Sequence, residues 1–287
     1  MLSLLIRSEG NYLSGEEASS QIGVSRAAVN AAVQGLRAEG YAIDSVTNRG
    51  YRLLHAPDTL STGALLAELG SSRLERVLCL ETVDSTNKYL LELSEKWAAD
   101  GQVVLADMQT AGRGRIGKQF ASPGGQGIYL SYLIHPRKDR GESAFVRDWV
   151  TVTGRTAVAV LNAIEDVCHV TPKIKWVNDL FLNERKICGI LTQTDLEAES
   201  GAIRSLVIGI GVNVHERTED FPEELRSIAT SIDQETGGCF SRPVLAAAII
   251  KRLDEMRREL PENAAYYLKK YREHCMVPGK EIVLTGS

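Results

Sequence analysis

Val103-Val-Leu-Ala-Asp-Met108 runs toward Gly112-Arg-Gly-Arg-Ile-Gly-Lys118, and Gln119-Phe-Ala-Ser-Pro-Gly-Gly125 comes next. The order of these three pieces decides the fold class. The apolar run predicts a strand. The glycines after it spell G-x-G-x-x-G, the pattern of a dinucleotide-binding turn, but that turn has to open a helix. Here Pro123-Gly-Gly125 follows, which breaks a helix rather than starting one. The phosphate-binding G-x-x-x-x-G-K-[ST] pattern is absent as well. What the segment offers is charge: Arg113, Arg115 and Lys118 stand on a backbone kept supple by three glycines. Like charges so close repel, and glycine adds chain entropy. The loop makes sense with a polyanion as counter-charge, and guanidinium–phosphate bonds suit it. The plainer alternative is a solvated basic turn.

Working outward, two other segments carry polar residues inside apolar flanks. Asp84-Ser-Thr-Asn87 follows the strand Val77-Leu-Cys-Leu80, where Ser85 can cap a helix and the first N–H groups can hold a polar ligand group. Lys175-Trp-Val-Asn-Asp179 and Arg185-Lys-Ile-Cys-Gly189 put charges at strand ends around a hairpin. Further strands are expected at 128–134, 173–176, 180–182, 186–192 and 205–214, with helices at about 144–167, 242–260 and 264–273. Adjacent strands with short turns predict an α+β domain whose mixed sheet is largely antiparallel. The five histidines show no ligand spacing, so no metal site is expected, and no Ser/His/Asp arrangement is supported.

The first 57 residues read as a separate unit. Ser14-Gly-Glu-Glu17 spells a capping box, and Gly23 ends the helix that it opens. Ser25 caps a second helix, which Gly40 closes. Two short helices across a glycine make a helix-turn-helix. Two strand-like runs flank Thr47-Asn-Arg-Gly50 and form a wing. On the second helix Val29, Ala32, Val33 and Leu36 share one side, while Arg26, Asn30, Gln34 and Arg37 share the other. Arginine and amide side chains are the types that read guanine and adenine edges, and Arg49 and Arg52 add charge on the wing. These residues make DNA the expected partner of the unit; a solvated interaction or regulatory module is the alternative.

The second domain, which holds the loop and the polar segments above, is expected over 60–274. At the end, Lys280-Glu-Ile-Val-Leu-Thr285 alternates like a strand after Pro278-Gly279. A lone strand does not stabilise itself, so residues 275–287 are expected either to join the main sheet or to begin a further small β domain.

Composition narrows the rest. At 287 residues, 44% hydrophobic and 24% charged, the chain is an ordinary globular one, long enough for two domains. A net charge of −4 gives no bulk attraction to nucleic acid, so DNA contact needs a local patch. The five scattered cysteines lack any C-x-x-C pair, and no apolar run approaches the roughly 20 residues of a membrane span. A cytoplasmic protein without membrane contact is expected.

Taken together, Ser85-Thr-Asn87, Gln109-Thr-Ala-Gly-Arg-Gly-Arg115, Lys175-Trp-x-Asn-Asp179, Arg185-Lys-x-x-Gly-Ile-Leu191 and Gly209-x-Gly-x-Asn213 resemble, in order, the biotin protein ligases. Ser25-Arg-Ala-Ala-Val-Asn30 and Asn48-Arg-Gly-Tyr51 add a resemblance to the bifunctional ligases that also repress the biotin operon. The resemblance implies a winged helix-turn-helix, a class II aminoacyl-tRNA synthetase-like catalytic sheet and a small C-terminal SH3-like β-barrel, here apparently truncated. It implies biotin and ATP as substrates, Mg2+ with the ATP, a biotin carboxyl carrier protein domain as acceptor, and a homodimer formed on ligand binding. Carried onto this chain, it gives Ser85, Thr86, Asn87, Gln109, Arg113, Gly114, Arg115, Lys186 and Gly189 to biotin. Arg115, Phe120, Asn178 and Asn213 go to the nucleotide, and Lys186, Arg113 and Arg115 to catalysis. Ile116 and Lys118 stand where the family has arginines, Phe120 replaces a tryptophan, Val177 a proline and Gln193 a glutamate. Ala31 and Ala32 replace polar residues on the recognition helix. Two alternatives stay open: a ligand-sensing repressor with weak or no ligase activity, and a lipoate ligase-like acyl transferase.

Overall fold

A computed structural model describes residues 1–96, 98–135, 142–196, 203–260 and 262–279. The chain divides into two compact units, Met1–Glu75 and Arg76–Ser287.

The first unit holds α1 (Leu2–Arg7), α2 (Gly15–Ile22), α3 (Arg26–Ala38), β1 (Ala42–Val46), β2 (Gly50–His55) and α4 (Thr62–Leu69). The caps are those the sequence spells: Ser14 Oγ accepts from Glu17 N at 3.0 Å and Ser25 Oγ from Ala28 N at 3.2 Å. Gly23 closes α2 in the left-handed region, with φ of 74°. Val29 and Val33 of α3 are buried with Leu2, Leu5, Leu13, Ala18, Tyr41 and Ile43. Ala32 is exposed instead; it lies at the margin of the α3 stripe, and its single methyl does not reach the core. A third segment joins the wing. Leu13 pairs with Tyr51 through bonds of 2.8 and 2.9 Å. A Cβ on Gly50 would lie 2.0 Å from Leu13 O, and its φ is 101°, so only glycine fits there. The boundary expected at 57–60 moves to 75–76. The reason is packing: α4 lies against α1 and adds Ala67 to the core of this unit.

The second unit is built on a seven-stranded sheet. It comprises β3 (Val77–Val83), α5 (Thr86–Ser94), β4 (Val103–Gln109), β5 (Gly127–Ile134), α6 (Glu142–Cys168), β6 (Lys173–Lys175), β7 (Asp179–Leu182), β8 (Arg185–Leu196), β9 (Ile203–Asn213), α7 (Ile232–Thr236), α8 (Arg242–Arg258) and α9 (Ala264–His274). The strand order is β3-β4-β5-β9-β8-β7-β6. β3 and β4 are parallel and every other pairing is antiparallel. β5 is buried along its whole length, as a strand covered on both faces must be. Ser131 faces α5, bonding Asn87 at 2.6 Å, while its neighbour Tyr132 reaches Asp254 of α8 at 2.6 Å. Alternation along β5 therefore assigns Tyr129, Ser131 and Leu133 to the α5 side. After α9 the chain runs beside β6, where Met276 N bonds Ile174 O at 2.9 Å. The strand expected at 280–285, and with it the β-barrel, lies outside the described residues.

Candidate active site

On the α5 side of the sheet is a cavity of about 550 Å³. The cavity lining contains every candidate ligand residue of this unit: Ser85, Thr86, Asn87, Gln109, Arg113, Gly114, Arg115, Phe120, Asn178, Lys186, Gly189 and Asn213. They come from α5, β4, the following loop and the β7–β9 end of the sheet.

Ser85 sits at the N-cap of α5, but its hydroxyl makes no cap bond; its N–H goes to Asp84 Oδ1 at 2.7 Å. The cap bond expected of the Ser85 hydroxyl is thus not formed, and the residue lines the cavity. Thr86 N donates to Gln109 Oε1 at 2.9 Å, with Thr86 Oγ1 3.1 Å from the same oxygen. Gln109 Nε2 donates to Ser122 Oγ at 2.9 Å, which ties the start of the loop to its end. Asn87 is buried and fully engaged. Its Nδ2 donates to Gln193 Oε1 at 2.9 Å and Leu191 O at 3.3 Å, and its Oδ1 accepts from Ser131 at 2.6 Å. Asn87 therefore braces the wall of the cavity rather than offering a free amide.

The loop itself is a narrow hairpin. Phe120 N bonds Gly112 O at 2.9 Å and Gly114 N bonds Lys118 O at 2.7 Å. Ile116 at its tip is 92% exposed and has a φ of 55°, a conformation that costs a β-branched residue about 1–2 kcal/mol. Arg115 Nη1 donates to Asn178 Oδ1 at 3.1 Å, bridging the loop to the β6–β7 turn. Arg113 has no side-chain hydrogen bond among the described residues, which leaves its guanidinium available.

Opposite the loop, Lys186 Nζ pairs with Asp179 Oδ1 at 2.8 Å. The backbone of Lys186 is held by Ile228 O and Thr230 N at 2.8 and 2.9 Å. Gly189 and Gly211 are cross-strand partners, and the Phe120 ring lies against both. A Cβ on Gly211 would meet that ring at 2.5 Å and one on Gly189 at 3.2 Å. Tyr129 braces the ring edge-on, with centroids 6.4 Å apart. Asn213 Nδ2 donates to Thr230 O at 2.9 Å.

Sequence reading alone missed two contributors. Ser131 was readable only as the one small polar residue in an apolar strand. The Ser227–Ala229 turn lines the cavity without any motif of its own. Among the described residues no group of three or more His, Cys, Asp or Glu side chains is arranged to hold a metal ion.

Below the loop stem lies a buried acid. Glu216 is 1% exposed, and its Oε2 has no hydrogen-bond partner. Burial pushes its carboxyl up to about 7, from an ordinary 4.5. The native state then holds a proton that the unfolded chain has released, so Glu216 costs stability progressively as pH rises from 4.5 to 7. Glu216→Gln is expected to flatten the fall of Tm across that window and to raise Tm at pH 8. Parallel Tm–pH curves for the two proteins would refute this.

In the first unit, Arg26 pairs with Glu16 at 2.5 Å and Gln34 is exposed. Asn30 Oδ1 lies 3.5 Å from the Tyr51 hydroxyl. Arg37 donates to Ile43 O at 2.6 Å and to Ser45 Oγ at 2.6 Å, so it fastens α3 to β1. Arg49 is exposed in the β1–β2 turn.

The pattern of the biotin/lipoate A/B protein ligase family matches residues 79–213, and that of an HTH domain matches residues 1–52. The bifunctional ligase/repressor BirA of Bacillus subtilis is 34% identical over 260 residues, covering 90% of this chain and 78% of the relative. BirA of Escherichia coli is 30% identical over 274 residues, covering 94% and 80%. The chain belongs to the bifunctional ligase/repressor BirA family. Among solved structures, the biotin protein ligase of Aquifex aeolicus in complex with biotin and ATP matches with a TM-score of 0.59 at 28% identity, covering 72% of this chain and 81% of that one. The fold of the second unit is thus that of the biotin protein ligases. No helix among the described residues is long and apolar enough to cross a membrane.

Proposed function

We propose that this BirA-family chain is an ATP-dependent biotin protein ligase that also acts as a biotin-responsive repressor of biotin-synthesis genes. The observation that carries the reading is convergence: ligand candidates separated by more than a hundred positions line one cavity, with Lys186 and the Arg113 guanidinium among them. Ser85, Thr86, Gln109 and Gly114 are assigned to biotin, with Asn87 bracing them and Gly189 leaving room. Arg115, Phe120, Asn178 and Asn213 are assigned to the nucleotide.

In the first step a biotin carboxylate oxygen attacks the α-phosphorus of ATP, and pyrophosphate leaves. Negative charge gathers on the phosphoryl oxygens, where fixed cations lower the barrier most. Lys186, Arg113 and Arg115 take that role. In the second step a lysine amine of the carrier domain attacks the acyl carbon, and AMP departs with the bonding electrons. Among the described residues no cluster of carboxylates forms a cage for Mg2+; the ion is expected to travel with the triphosphate.

Operator DNA is taken by the first unit through Arg26, Asn30, Gln34 and Arg49. Arg37 is spent on holding α3 to the wing. Dimerisation on adenylate binding would present two such units to symmetric half-sites. Biotin-dependent pyrophosphate release with ATP and magnesium tests the ligase, and lipoate in competition tests the acyl group. Release driven by lipoate but not by biotin would overturn the reading. A gel shift on biotin-gene DNA with and without biotin plus ATP tests the repressor.

A further inference from the structure

Tyr12 lies in the connection between α1 and α2, and the Leu13–Tyr51 pairing lays that connection along β2. Its hydroxyl donates to Asp44 Oδ2 at 2.5 Å. Asp44 is the cross-strand partner of Arg52, whose Nη2 also reaches it, at 3.3 Å. The Tyr12 ring carries two cations, with Arg49 4.3 Å and Arg52 4.7 Å from its centroid. A guanidinium over an exposed aromatic face gains about 0.5–1 kcal/mol. Two guanidiniums gathered at one ring also repel each other, and Asp44 offsets only one of the two charges. One positive charge is left over. Arg49, exposed in the turn, offers its N–H edge to a phosphate, whereas Arg52 gives Nη2 to Asp44 and has its Nε buried, so it adds charge beside Arg49 more than a second open edge.

The wing is not a loose flap. Tyr51 reaches Asn30 of α3, and Arg37 of α3 bonds the backbone of Ile43 and the Ser45 hydroxyl on β1. Whatever Tyr12 holds in place is therefore held relative to the recognition helix.

We propose that Tyr12 is a positioning residue for DNA binding, which sets Arg49 and Arg52 side by side as a paired contact for the phosphate backbone of a DNA duplex. Arg52 thereby joins Arg49 as a DNA-contacting residue. The proposal rests on the repressor reading above.

The test is a salt titration of the full chain, with biotin and ATP, on a labelled duplex of mixed sequence, followed by fluorescence anisotropy. Each phosphate contact contributes about 0.9 to the slope of log affinity against log salt. Tyr12→Ala should flatten that slope by about 1, the cluster's surplus charge, and weaken binding several-fold at moderate salt. Tyr12→Phe keeps the ring and should keep the slope; Arg49→Ala should remove about 1. Biotin-dependent pyrophosphate release should be the same in both Tyr12 variants. A Tyr12→Ala slope equal to the parent's overturns the proposal while leaving the repressor reading standing. Absence of binding by the parent chain at any salt removes both. Should Tyr12→Ala lose its helical circular dichroism, the double variant Arg49→Gln with Arg52→Gln decides, since it leaves Tyr12 packed: a slope lower by about 2 supports the pairing, and an unchanged one overturns it.

Discussion

Lys186→Ala is expected to cut biotinyl-adenylate formation by ~10²–10³, with kcat and kcat/KM falling together, because one fixed donor to a developing oxyanion is worth that much. The environment of Lys186 sharpens the expectation. Its ammonium stands 2.8 Å from Asp179 Oδ1, and both side chains are partly shielded. Without the lysine, the Asp179 carboxylate faces an anionic substrate alone, so the loss includes a new repulsion as well as a missing attraction. The double variant Lys186→Ala with Asp179→Asn is therefore expected to recover part of the rate. Arg113→Ala should lose a similar factor with no such recovery, since Arg113 leaves no buried partner behind. Pyrophosphate exchange under saturating ATP and biotin reads all three proteins. Near-parental rates in both single variants would end the assignment of these cations to the chemistry.

The second large effect is structural in origin. A Cβ at position 209 would lie 2.3 Å from Asn87 Oδ1, well inside contact distance. Asn87 cannot swing aside freely, because Ser131, Leu191 O and Gln193 use all of its polar atoms. Moving it leaves buried groups unpaired, at about 1–3 kcal/mol each, on top of a similar overpacking cost. Gly209→Ala is expected to destabilise by about 3 kcal/mol, and at about 2–4 °C per kcal/mol for a unit of this size, Tm should fall by about 6–12 °C. Biotin affinity should fall with it, because Asn87 and Thr86 share Ser131. Calorimetry gives the Tm and titration of biotin gives the affinity. A stable Gly209→Ala protein with unchanged biotin binding would show that this network does not shape the site.

Much of the site was legible because its signals are local. Three cations on a glycine backbone demand a counter-charge wherever the loop lands, and a helix-breaking Pro123-Gly-Gly125 excludes the nucleotide-binding folds that share its glycine spacing. The role of Asn87 was less legible. It reads as a residue near a ligand, whereas it ties α5 to β5 and β8. The exposure of Ala32 and the reach of the first unit to Glu75 are not legible for a related reason: each depends on what packs against it, Ala32 on the width of the α3 stripe and α4 on the face of α1. The Ser85 hydroxyl is expected at a helix cap but makes no cap bond, and the first-turn N–H of Thr86 goes to Gln109 of β4, a partner that no local pattern announces.

By itself, the sequence determined that a helix-turn-helix precedes an α+β domain, and which charged and polar segments meet at the cavity, because caps, glycine breaks and charge spacing act within a few residues. Only the tertiary structure decided that Ser131 sits between Thr86 and Asn87, that Gly211 seats Phe120, and that Tyr12 gathers two arginines of the wing. Those contacts come from strand register and element packing, where partners lie tens to more than a hundred residues apart and no local preference selects them.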